Sequence, residues 1–411
     1  MSATSIVMPT ERARLLRILN DGISEEVGNG DTVFESPLSD FTSRDLLANE
    51  RRVFFEQSLL LMGLSGDLPG NGSYWADNHS GLPILMVRDD LGRFRAFANT
   101  CRHRGAEIVP CGRGNQLRFT CPFHGWTYSC RGDLIAVRSN EAFGNLDQGE
   151  RGLIELPAVE TQGMLWVCPT TSPNGSHGHI EAADQMLGGL RDDMAHWGLG
   201  KHCYGASQSF SAEVNWKLAI DTFGENYHFD VLHRDSVAKE LHGNVHTYDS
   251  FGRHCRMVFA NKRAFAQAKA LRLDVDRWPF RLVTLTLYFI FPNTIMLIDG
   301  GGIDVFRVFP AGDDPGRSTT MHSFYISPHA RVQHEDGRHR REHCERHLRN
   351  VSKVIVEEDF AIAQSIQRCA DASALRHVLF GRNEPALVHC HDAHRSALGR
   401  PRLRSIERDE Q

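Results

Sequence analysis

Two short segments of this sequence each pair a cysteine with a histidine. Cys101–Gly105 reads CRHRG and Cys121–Trp126 reads CPFHGW, with seventeen residues between His103 and Cys121. Each segment supplies one thiolate and one imidazole, and a glycine one or two residues after the histidine allows the backbone to turn. Two such loop tips that face each other form a metal site with two cysteine and two histidine ligands.

Two metals accept this ligand set. Zinc binds two cysteines and two histidines tetrahedrally, but its usual spacing places the cysteines together and the histidines together. In this sequence Cys101 is interleaved with His103, and Cys121 with His124. A Rieske [2Fe–2S] cluster holds one iron with two cysteines and the other with two histidines. The interleaved order favours the Rieske cluster, because each loop then contributes one ligand to each iron.

A second pair of histidines lies about a hundred residues downstream. The stretch Asp221–His233 (DTFGENYHFDVLH) places His228 and His233 five positions apart, among aromatic and acidic residues. Two imidazoles and one carboxylate form the facial triad of non-haem Fe(II) oxygenases, which leaves positions open for O₂ and substrate. Five residues of an ideal helix turn the two side chains about 140° apart. We therefore expect a local break or bulge between the two histidines.

The carboxylate ligand must come from another residue. Asp230 and Asp235 are close in sequence, but Asp359 is the better candidate, because helical spacing places it on one face with Ile355, Ile362 and Ile366. A carboxylate on an apolar stripe is costly unless it is paired or bound to a metal. The alternative for Asp359 is a buried salt bridge.

Composition bounds the class of protein. The sequence has 411 residues, a formal net charge of −5 and 41% apolar residues, so no basic footprint for nucleic acid is present. The N-terminal residues lack a signal-peptide core, and no apolar stretch approaches the roughly 18 residues that span a bilayer. Ten cysteines in this length are too sparse for a disulfide scaffold. We expect a cytoplasmic protein without a membrane segment.

The elements that must position these residues suggest two domains. Helical patterns at residues 10–24 and 43–57 precede short strands separated by turn residues, including a hairpin around residues 89–92. A helical pattern at 182–194 precedes successive strands of an antiparallel sheet, which run from Leu282 to Ile326 and are followed by a helix at about 344–368. The predicted fold class is α+β. The predicted divisions are an N-terminal helical segment packing on the catalytic domain (1–45), a small all-β Rieske domain (46–169) and a catalytic domain with a sheet covered by helices (170–411).

The motifs together resemble one family. The C-x-H-R-G and C-P-x-H-G-W segments are similar to the Rieske domain of the Rieske non-haem iron (aromatic ring-hydroxylating) oxygenases, in their α (catalytic) subunit. Asn215-Trp216-Lys217, followed by Glu225 and Tyr227-His228, resembles that family's N-W-K and E/D-x-Y-H-x₄-H motif. The resemblance covers about residues 45–398. It implies that Cys101 and Cys121 bind one iron of the cluster, that His103 and His124 bind the other, and that His228, His233 and Asp359 bind a mononuclear Fe(II).

The resemblance also assigns a role to Glu225. In family trimers this acid bridges a cluster histidine of one subunit to an iron-binding histidine of its neighbour, which here implies a path from His124 to His228. Glu225 is a glutamate where many relatives carry aspartate, and the alternative is a surface acid that caps a helix. Asp221 is retained as a further candidate near the iron ligands.

The implied function is the terminal oxygenase component of a Rieske system. It uses O₂ and electrons from a separate NAD(P)H-dependent reductase, with or without a ferredoxin, to dihydroxylate or monohydroxylate an aromatic or other apolar ring. The alternative within the class is a monooxygenase or demethylase acting on a non-aromatic or N/O-methylated substrate. Two other classes stay open, an electron-transfer or redox-sensing Rieske protein and a zinc-stabilised binding module. The implied assembly is a homotrimer or an α₃β₃ complex.

Overall fold

The computed structural model describes residues 9–24, 32–170, 185–272, 274–333 and 337–406. The chain divides into two compact units. The smaller unit comprises Arg51–Gln185 and Leu199–Cys203, and the larger unit comprises the remainder. Within the described residues, no helix combines the length and the apolar character needed to cross a membrane.

The N-terminal part of the chain contains helix α1 (Pro9–Ser24), strand β1 (Val33–Pro37) and helix α2 (Arg44–Glu50), followed by a π-helical turn at Arg51–Glu56. Both predicted helices are confirmed. Ser43 caps α2, because its hydroxyl accepts the backbone N–H of Leu46 at 3.2 Å. Helix α1 buries its leucines and forms an ion pair from Arg14 to Asp249 at 2.6 Å.

The smaller unit is all-β. Its strands are β2 (Leu60–Leu64), β3 (Ser73–Asp77), β4 (Ile84–Arg88), β5 (Phe94–Ala98), β6 (Gly112–Asn115), β7 (Arg118–Thr120), β8 (Thr127–Ser129), β9 (Leu134–Ala136), β10 (Glu155–Leu156), β11 (Ala158–Thr161) and β12 (Met164–Val167). They form three sheets, in the orders β10-β5-β4-β3-β6, β11-β12-β2 and β7-β8-β9. The predicted hairpin at residues 89–92 joins β4 and β5, with Ile84 opposite Ala98.

The larger unit contains the remaining elements. They are helix α3 (Leu190–Trp197), β13 (Cys203–Ala212), α4 (Trp216–Asp221), α5 (Phe229–Leu232), β14 (Leu241–Phe251), β15 (His254–Asn261), α6 (Lys262–Ala270), α7 (Phe280–Val283), β16 (Thr284–Ile290), β17 (Thr294–Ile298), β18 (Gly302–Pro310), β19 (Ser318–Ile326), α8 (Pro328–Gln333), α9 (Gly337–Val354), α10 (Phe360–Asp371), β20 (His377–Phe380), α11 (Pro385–Ala397) and β21 (Arg404–Ile406). Another π-helical turn, Ile355–Asp359, joins α9 to α10.

A seven-stranded antiparallel sheet is the centre of this unit, in the order β13-β19-β18-β17-β16-β15-β14. All nine residues of β18 are buried, which indicates that both faces of the sheet are covered at its middle. Helix α4 packs on β18 and β19, and α9 packs on β19. The α+β class predicted from the sequence is confirmed. A small sheet, in the order β20-β1-β21, pairs the first described strand with the last two.

Three predicted elements differ in detail. The strand predicted from Leu282 begins at Thr284, because a helical turn, α7, precedes it. The helix predicted at 182–194 lies partly outside the described residues, and α3 extends to Trp197. The single helix predicted at 344–368 is observed as α9 and α10 with the π-helical turn between them.

Candidate metal centres

The two Cys/His loops of the smaller unit have the same backbone hydrogen bonds. The N–H of Cys101 donates to Ala106 at 2.8 Å, and the N–H of Cys121 donates to Trp126 at 2.8 Å. The glycine four residues after each cysteine donates its N–H back to that cysteine's carbonyl, at 2.9 and 3.0 Å. These glycines have φ of +79° and +74°, in the left-handed region that favours glycine. The matched sequence spacing therefore folds into two equivalent loops.

The loops bring their imidazoles together over a buried pair of thiols. The ring centroids of His103 and His124 lie 4.6 Å apart. The Trp126 ring stacks on His103, with centroids 4.9 Å apart and an angle of 8° between the ring planes. Cys101 and Cys121 are 3% and 2% exposed. The four candidate ligands thus share one end of the unit, with the imidazoles nearer the solvent.

The polar atoms of this end fit a metal cluster. His103 Nδ1 is buried and has no hydrogen-bond partner among the described residues. Burial raises the pKa of the Cys101 thiol, and the adjacent Cys121 raises that pKa further, so this site by itself disfavours a thiolate at Cys101. Cysteine ligands bind as thiolates, and bound metal supplies the charge that stabilises them.

The second pair of histidines follows helix α4. Asn215 caps this helix by accepting the N–H of Lys217 at 2.9 Å. Trp216 Nε1 donates to the buried carboxylate of Glu50 at 2.8 Å, and Lys217 forms an ion pair with the same carboxylate. These contacts fix the start of the helix, while its end at Asp221 releases the chain into a turn before His228.

A single helical turn, α5, separates the two histidines. His228 is the residue before its first position and His233 is the residue after its last, with a non-helical ψ of 20°. The expected break between the histidines is therefore not observed: the helix is interrupted before His228 and ends at His233. Because the rings stand at opposite ends of one turn, they still converge, with centroids 4.8 Å apart.

Asp359 completes the group. His228, His233 and Asp359 each offer one ligand atom, and these atoms all lie within 4.8 Å of one another. His233 Nε2 is 3.1 Å from Asp359 Oδ1, and His228 Nε2 is 3.5 Å from the same oxygen. Asp359 is the last residue of the π-helical turn Ile355–Asp359 and is 7% exposed. The alternative acids Asp230 and Asp235 have side chains 61% and 82% exposed and are not part of the group.

Charge in the group fits a bound cation. Burial lowers the pKa of His228, but the Asp359 and Glu225 carboxylates outweigh this and raise it to about 9. Burial also lowers the pKa of His233, but the Asp359 carboxylate has the larger effect, so the pKa of His233 is raised. The carboxylates therefore favour positive charge at this group, which a bound divalent metal ion would supply. Two histidines and one carboxylate fit non-haem iron.

Two further carboxylates contact the outer nitrogens of these imidazoles. Glu225 accepts a hydrogen bond from His228 Nδ1, and it also accepts the backbone N–H of His228 at 3.2 Å. Both interpretations of Glu225, an imidazole partner and a cap of the local backbone, are therefore present in its contacts. Glu358 lies 2.7 Å from His233 Nδ1.

A cavity of about 240 Å³ opens beside His228 and Asp359. Its walls combine apolar side chains with three carboxylates that are not iron-ligand candidates, Asp221, Glu225 and Glu384. Burial raises the pKa of Glu384. Asp221 is hydrogen bonded to His391 Nε2 at 3.0 Å, so it contacts α11 and not the ligand group.

One aromatic side chain links the ligand group to the sheet. The ring of Phe229 lies 5.1 Å from that of His228, 5.7 Å from that of His233 and 5.8 Å from that of Phe259 on the sheet. The ligand group therefore has aromatic neighbours on the side of the sheet.

Two family models match the chain. "Rieske [2Fe-2S] domain" matches residues 59–155, and "Ring hydroxylating alpha subunit (catalytic domain)" matches residues 201–400. Both candidate centres lie within these matches. The chain belongs to the Rieske oxygenase α subunits.

Curated relatives of this Rieske oxygenase α subunit act on different substrates. The chain is 30% identical to the glycine betaine monooxygenase oxygenase subunit of Chromohalobacter salexigens over 188 residues. The matched residues are 46% of this chain and 40% of that relative. The chain is also 27% identical to the anthranilate 1,2-dioxygenase large subunit of Acinetobacter baylyi over 213 residues. These residues are 52% of this chain and 45% of that relative. The chain thus matches about half the length of these relatives.

Solved structures share its fold. The quaternary ammonium Rieske monooxygenase CntA in complex with L-carnitine superposes with a TM-score of 0.68 at 18% identity, covering 89% of this chain and 96% of that one. Naphthalene 1,2-dioxygenase from Rhodococcus sp. bound to indole gives 0.68 at 18% identity, covering 94% and 98%. The cofactors of this Rieske oxygenase α subunit are a Rieske [2Fe–2S] cluster and a mononuclear iron.

Sequence reasoning missed two features of the larger unit. Helical spacing places Glu358 only at the border of the face that carries Asp359, and its contact with His233 depends on the π-helical turn. Asp304 binds His322 at 2.6 Å and His347 at 2.9 Å, in a cluster built from two strands and α9. No spacing in the sequence links these three residues, so no local signal could have identified the cluster.

Proposed function

We propose that this chain is the terminal oxygenase component of a Rieske oxygenase system. The observation that carries the proposal is the presence, in one chain, of a Cys/His loop pair and the group His228, His233 and Asp359. A Rieske domain alone transfers electrons, whereas two histidines and one carboxylate form the site of non-haem iron oxygenases. An electron-transfer protein has no use for the second group.

The ligand assignments are part of the proposal. Cys101 and Cys121 would hold one iron of the cluster, and His103 and His124 the other. His228, His233 and Asp359 would hold the mononuclear iron, which when bound supplies the site for O₂ activation. The chain's own residues orient these ligands, and Phe229 packs against both histidines. The division into residues 1–45, 46–169 and 170–411 belongs to the same proposal.

Glu225 is proposed to connect the two kinds of centre across a subunit boundary. Its carboxylate holds His228 through Nδ1 and keeps 14% of its side chain exposed, so a second group can still approach it. That group would be the cluster ligand His124 of a neighbouring copy, which requires a homotrimer or an α₃β₃ assembly. Electrons would come from a separate reductase, with or without a ferredoxin, in the cytoplasm.

Two substrate classes are proposed. An aromatic or other apolar ring is supported by Phe229 beside His228 and by the apolar side chains that line the cavity. The alternative, oxidation or demethylation of an N-methylated substrate, is supported by the glycine betaine relative and by the carboxylates Asp221 and Glu384 in the cavity. A carboxylate favours a cationic group over a neutral ring.

Product analysis under ¹⁸O₂ tests the proposal. The chain, reconstituted with a reductase and NADH, is offered ring substrates such as naphthalene and anthranilate and quaternary ammonium substrates such as glycine betaine and carnitine. Two labelled atoms in one product indicate ring dihydroxylation, and one labelled atom or released formaldehyde indicates monooxygenation or demethylation. Metal analysis should give three irons per chain. A protein with two irons per chain, whose activity does not change on replacing His228, would instead be an electron carrier.

A further inference from the structure

Both ring nitrogens of His233 are engaged by carboxylates from one short segment. Nδ1 lies 2.7 Å from Glu358 Oε2, and Nε2 lies 3.1 Å from Asp359 Oδ1. The imidazole itself is almost fully buried, with 3% of its side chain exposed. If Nε2 binds the metal beside Asp359, Nδ1 must carry the ring's proton, and Glu358 is the group placed to accept it as a hydrogen bond.

Glu358 is itself held in place. Its Oε2 also accepts the hydroxyl of Ser236 at 2.7 Å. Ser236 belongs to the turn that follows His233, because its backbone N–H donates to the His233 carbonyl at 2.9 Å. The histidine, the serine and the glutamate therefore form a closed set of contacts that joins the end of α5 to the π-helical turn.

The arrangement differs from that at His228. Glu225 comes from the same turn of chain as the histidine it contacts, whereas Glu358 lies 125 residues from His233 and next to the carboxylate ligand candidate. One segment thus supplies both a candidate ligand and the partner of another candidate ligand. A movement of this segment would disturb two of the three proposed iron ligands together.

We propose that Glu358 is the positioning residue of His233, with Ser236 holding Glu358 in place. It fixes the tautomer that leaves Nε2 free for the metal and sets the orientation of the ring. The inference rests on the proposed iron site, and it concerns a residue to which neither the motif nor the family resemblance assigns a role.

The chemistry of the carboxylate determines the expected effect of substitution. A glutamate accepts the Nδ1–H and increases the basicity of the ligand, because it is an anion. Glu358→Gln removes the charge, and its amide N–H₂ can donate to Nδ1, which favours the tautomer with a proton on Nε2 that cannot bind metal. We expect the dissociation constant for a divalent metal to increase about 10- to 100-fold. Ser236→Ala, which leaves the carboxylate in place, should have a smaller effect in the same direction.

The experiment measures metal binding by the full-length protein without turnover. Protein with an intact Rieske cluster and its mononuclear iron removed is titrated with Co²⁺, and the dissociation constant and the Co²⁺ d–d absorption bands are recorded. The variants are Glu358→Gln, Glu358→Ala and Ser236→Ala. Glu357→Gln is the matched control, because that side chain is 62% exposed and makes only a 3.8 Å ion pair with Lys353. His233→Ala tests the site itself.

The outcomes separate the two levels of the proposal. Weaker Co²⁺ binding and shifted d–d bands in the Glu358 variants, with Glu357→Gln equal to wild type, support the positioning role. Wild-type affinity and bands in Glu358→Gln and Glu358→Ala, while His233→Ala loses the metal, overturn that role and leave the iron site standing. Unchanged binding in His233→Ala overturns the iron site as assigned, and the role of Glu358 with it.

Discussion

Glu358 and Asp359 are adjacent in the chain and contact opposite nitrogens of a single imidazole, that of His233. In an α-helix, consecutive side chains point about 100° apart. The π-helical turn Ile355–Asp359 changes that geometry at the place where both carboxylates are needed. Such turns are rare and occur often at functional sites. The position of the candidate iron ligand thus depends on a local departure from the α-helix.

Replacing any one of the three proposed iron ligands should remove one iron of the three. His228→Ala, His233→Ala and Asp359→Ala each leave two ligand atoms in the group, too few for stable binding at this site. Metal analysis should give two irons per chain, the Rieske EPR signal should be unchanged, and oxygenation should fall to background. Asp235→Ala is the control, because its side chain is 82% exposed and outside the group. Three irons in His233→Ala would contradict the assignment.

Glu225→Gln should retain both metal centres yet lose most turnover. The substitution preserves size but removes the charge that holds the Nδ1 proton of His228. We expect product formation to fall about 10- to 100-fold, with three irons per chain and an unchanged Rieske spectrum. The sharpest measurement is a single turnover of pre-reduced protein, in which oxidation of the cluster should slow to the same extent.

Glu213→Gln provides the comparison for that variant. The Glu213 side chain is 76% exposed and forms an ion pair with Arg317 at 3.7 Å. Glu213→Gln therefore removes the same charge as Glu225→Gln, but at a residue that does not contact the metal group. Full activity in Glu225→Gln would end its assignment to the electron path, and equal losses in both variants would show only a general effect of charge.

The identities of the ligand candidates could be predicted from the sequence because their chemistry is local. Cysteine and histidine interleaved at fixed spacing, each pair followed by glycine, leave few alternatives, and the structure gives the two loops the same hydrogen bonds. Helical spacing identifies Asp359 as an acid on an apolar helix face. That face is only partly buried, because Ile362 and Ile366 are 49% and 36% exposed. The face is apolar without being fully buried in this chain.

The backbone around the ligands could not be predicted in the same way. The interruption before His228 depends on tertiary contacts: a side chain at Gly224 would collide with Leu387, which comes from α11, 163 residues away. The π-helical turn likewise depends on what its carboxylates contact, since helical periodicity alone extends α9 through Asp359 as a regular helix. Spacing specifies which residues share a face, but packing between distant segments decides where a helix is interrupted.

Alanine at the loop glycines should weaken the cluster without a steric clash. Gly105 has nothing within 4 Å of a built Cβ, and Gly125 meets only Arg138 Cβ at 3.9 Å, so the cost arises from the left-handed backbone. That cost is about 1–2 kcal/mol per residue. We expect Gly105→Ala and Gly125→Ala to show lower Rieske absorbance per chain and faster cluster loss. Gly252→Ala has a similar positive φ of +64° and open space, but lies in the β14–β15 turn, and should leave the absorbance unchanged.

The Asp304 cluster should make stability depend on pH on the alkaline side. Burial raises the pKa of Asp304, but hydrogen bonds from His322 and His347 outweigh this and lower it to about 2. Burial lowers the pKa of His347, but the hydrogen bond and negative charge of Asp304 have a larger, opposite effect. The pKa of His347 is therefore raised. A raised histidine pKa adds stability that is complete below the unfolded value of about 6.5 and is lost as pH rises through the folded value. The carboxylate's contribution is present above its unfolded pKa of about 3.9 and is lost as pH falls towards 2.

Urea unfolding from pH 6 to pH 9, followed by circular dichroism, tests the histidine. The midpoint of the wild type should exceed that of His347→Gln at pH 6, and the difference between the two should shrink as pH rises. Asp304→Asn leaves His347 in a largely buried site without its counter-charge and should destabilise by about 3 kcal/mol at neutral pH. His377→Gln, an exposed histidine on β20, serves as the control and should follow the wild type. An alkaline slope that is identical in His347→Gln and the wild type would show that His347 is not the titrating group.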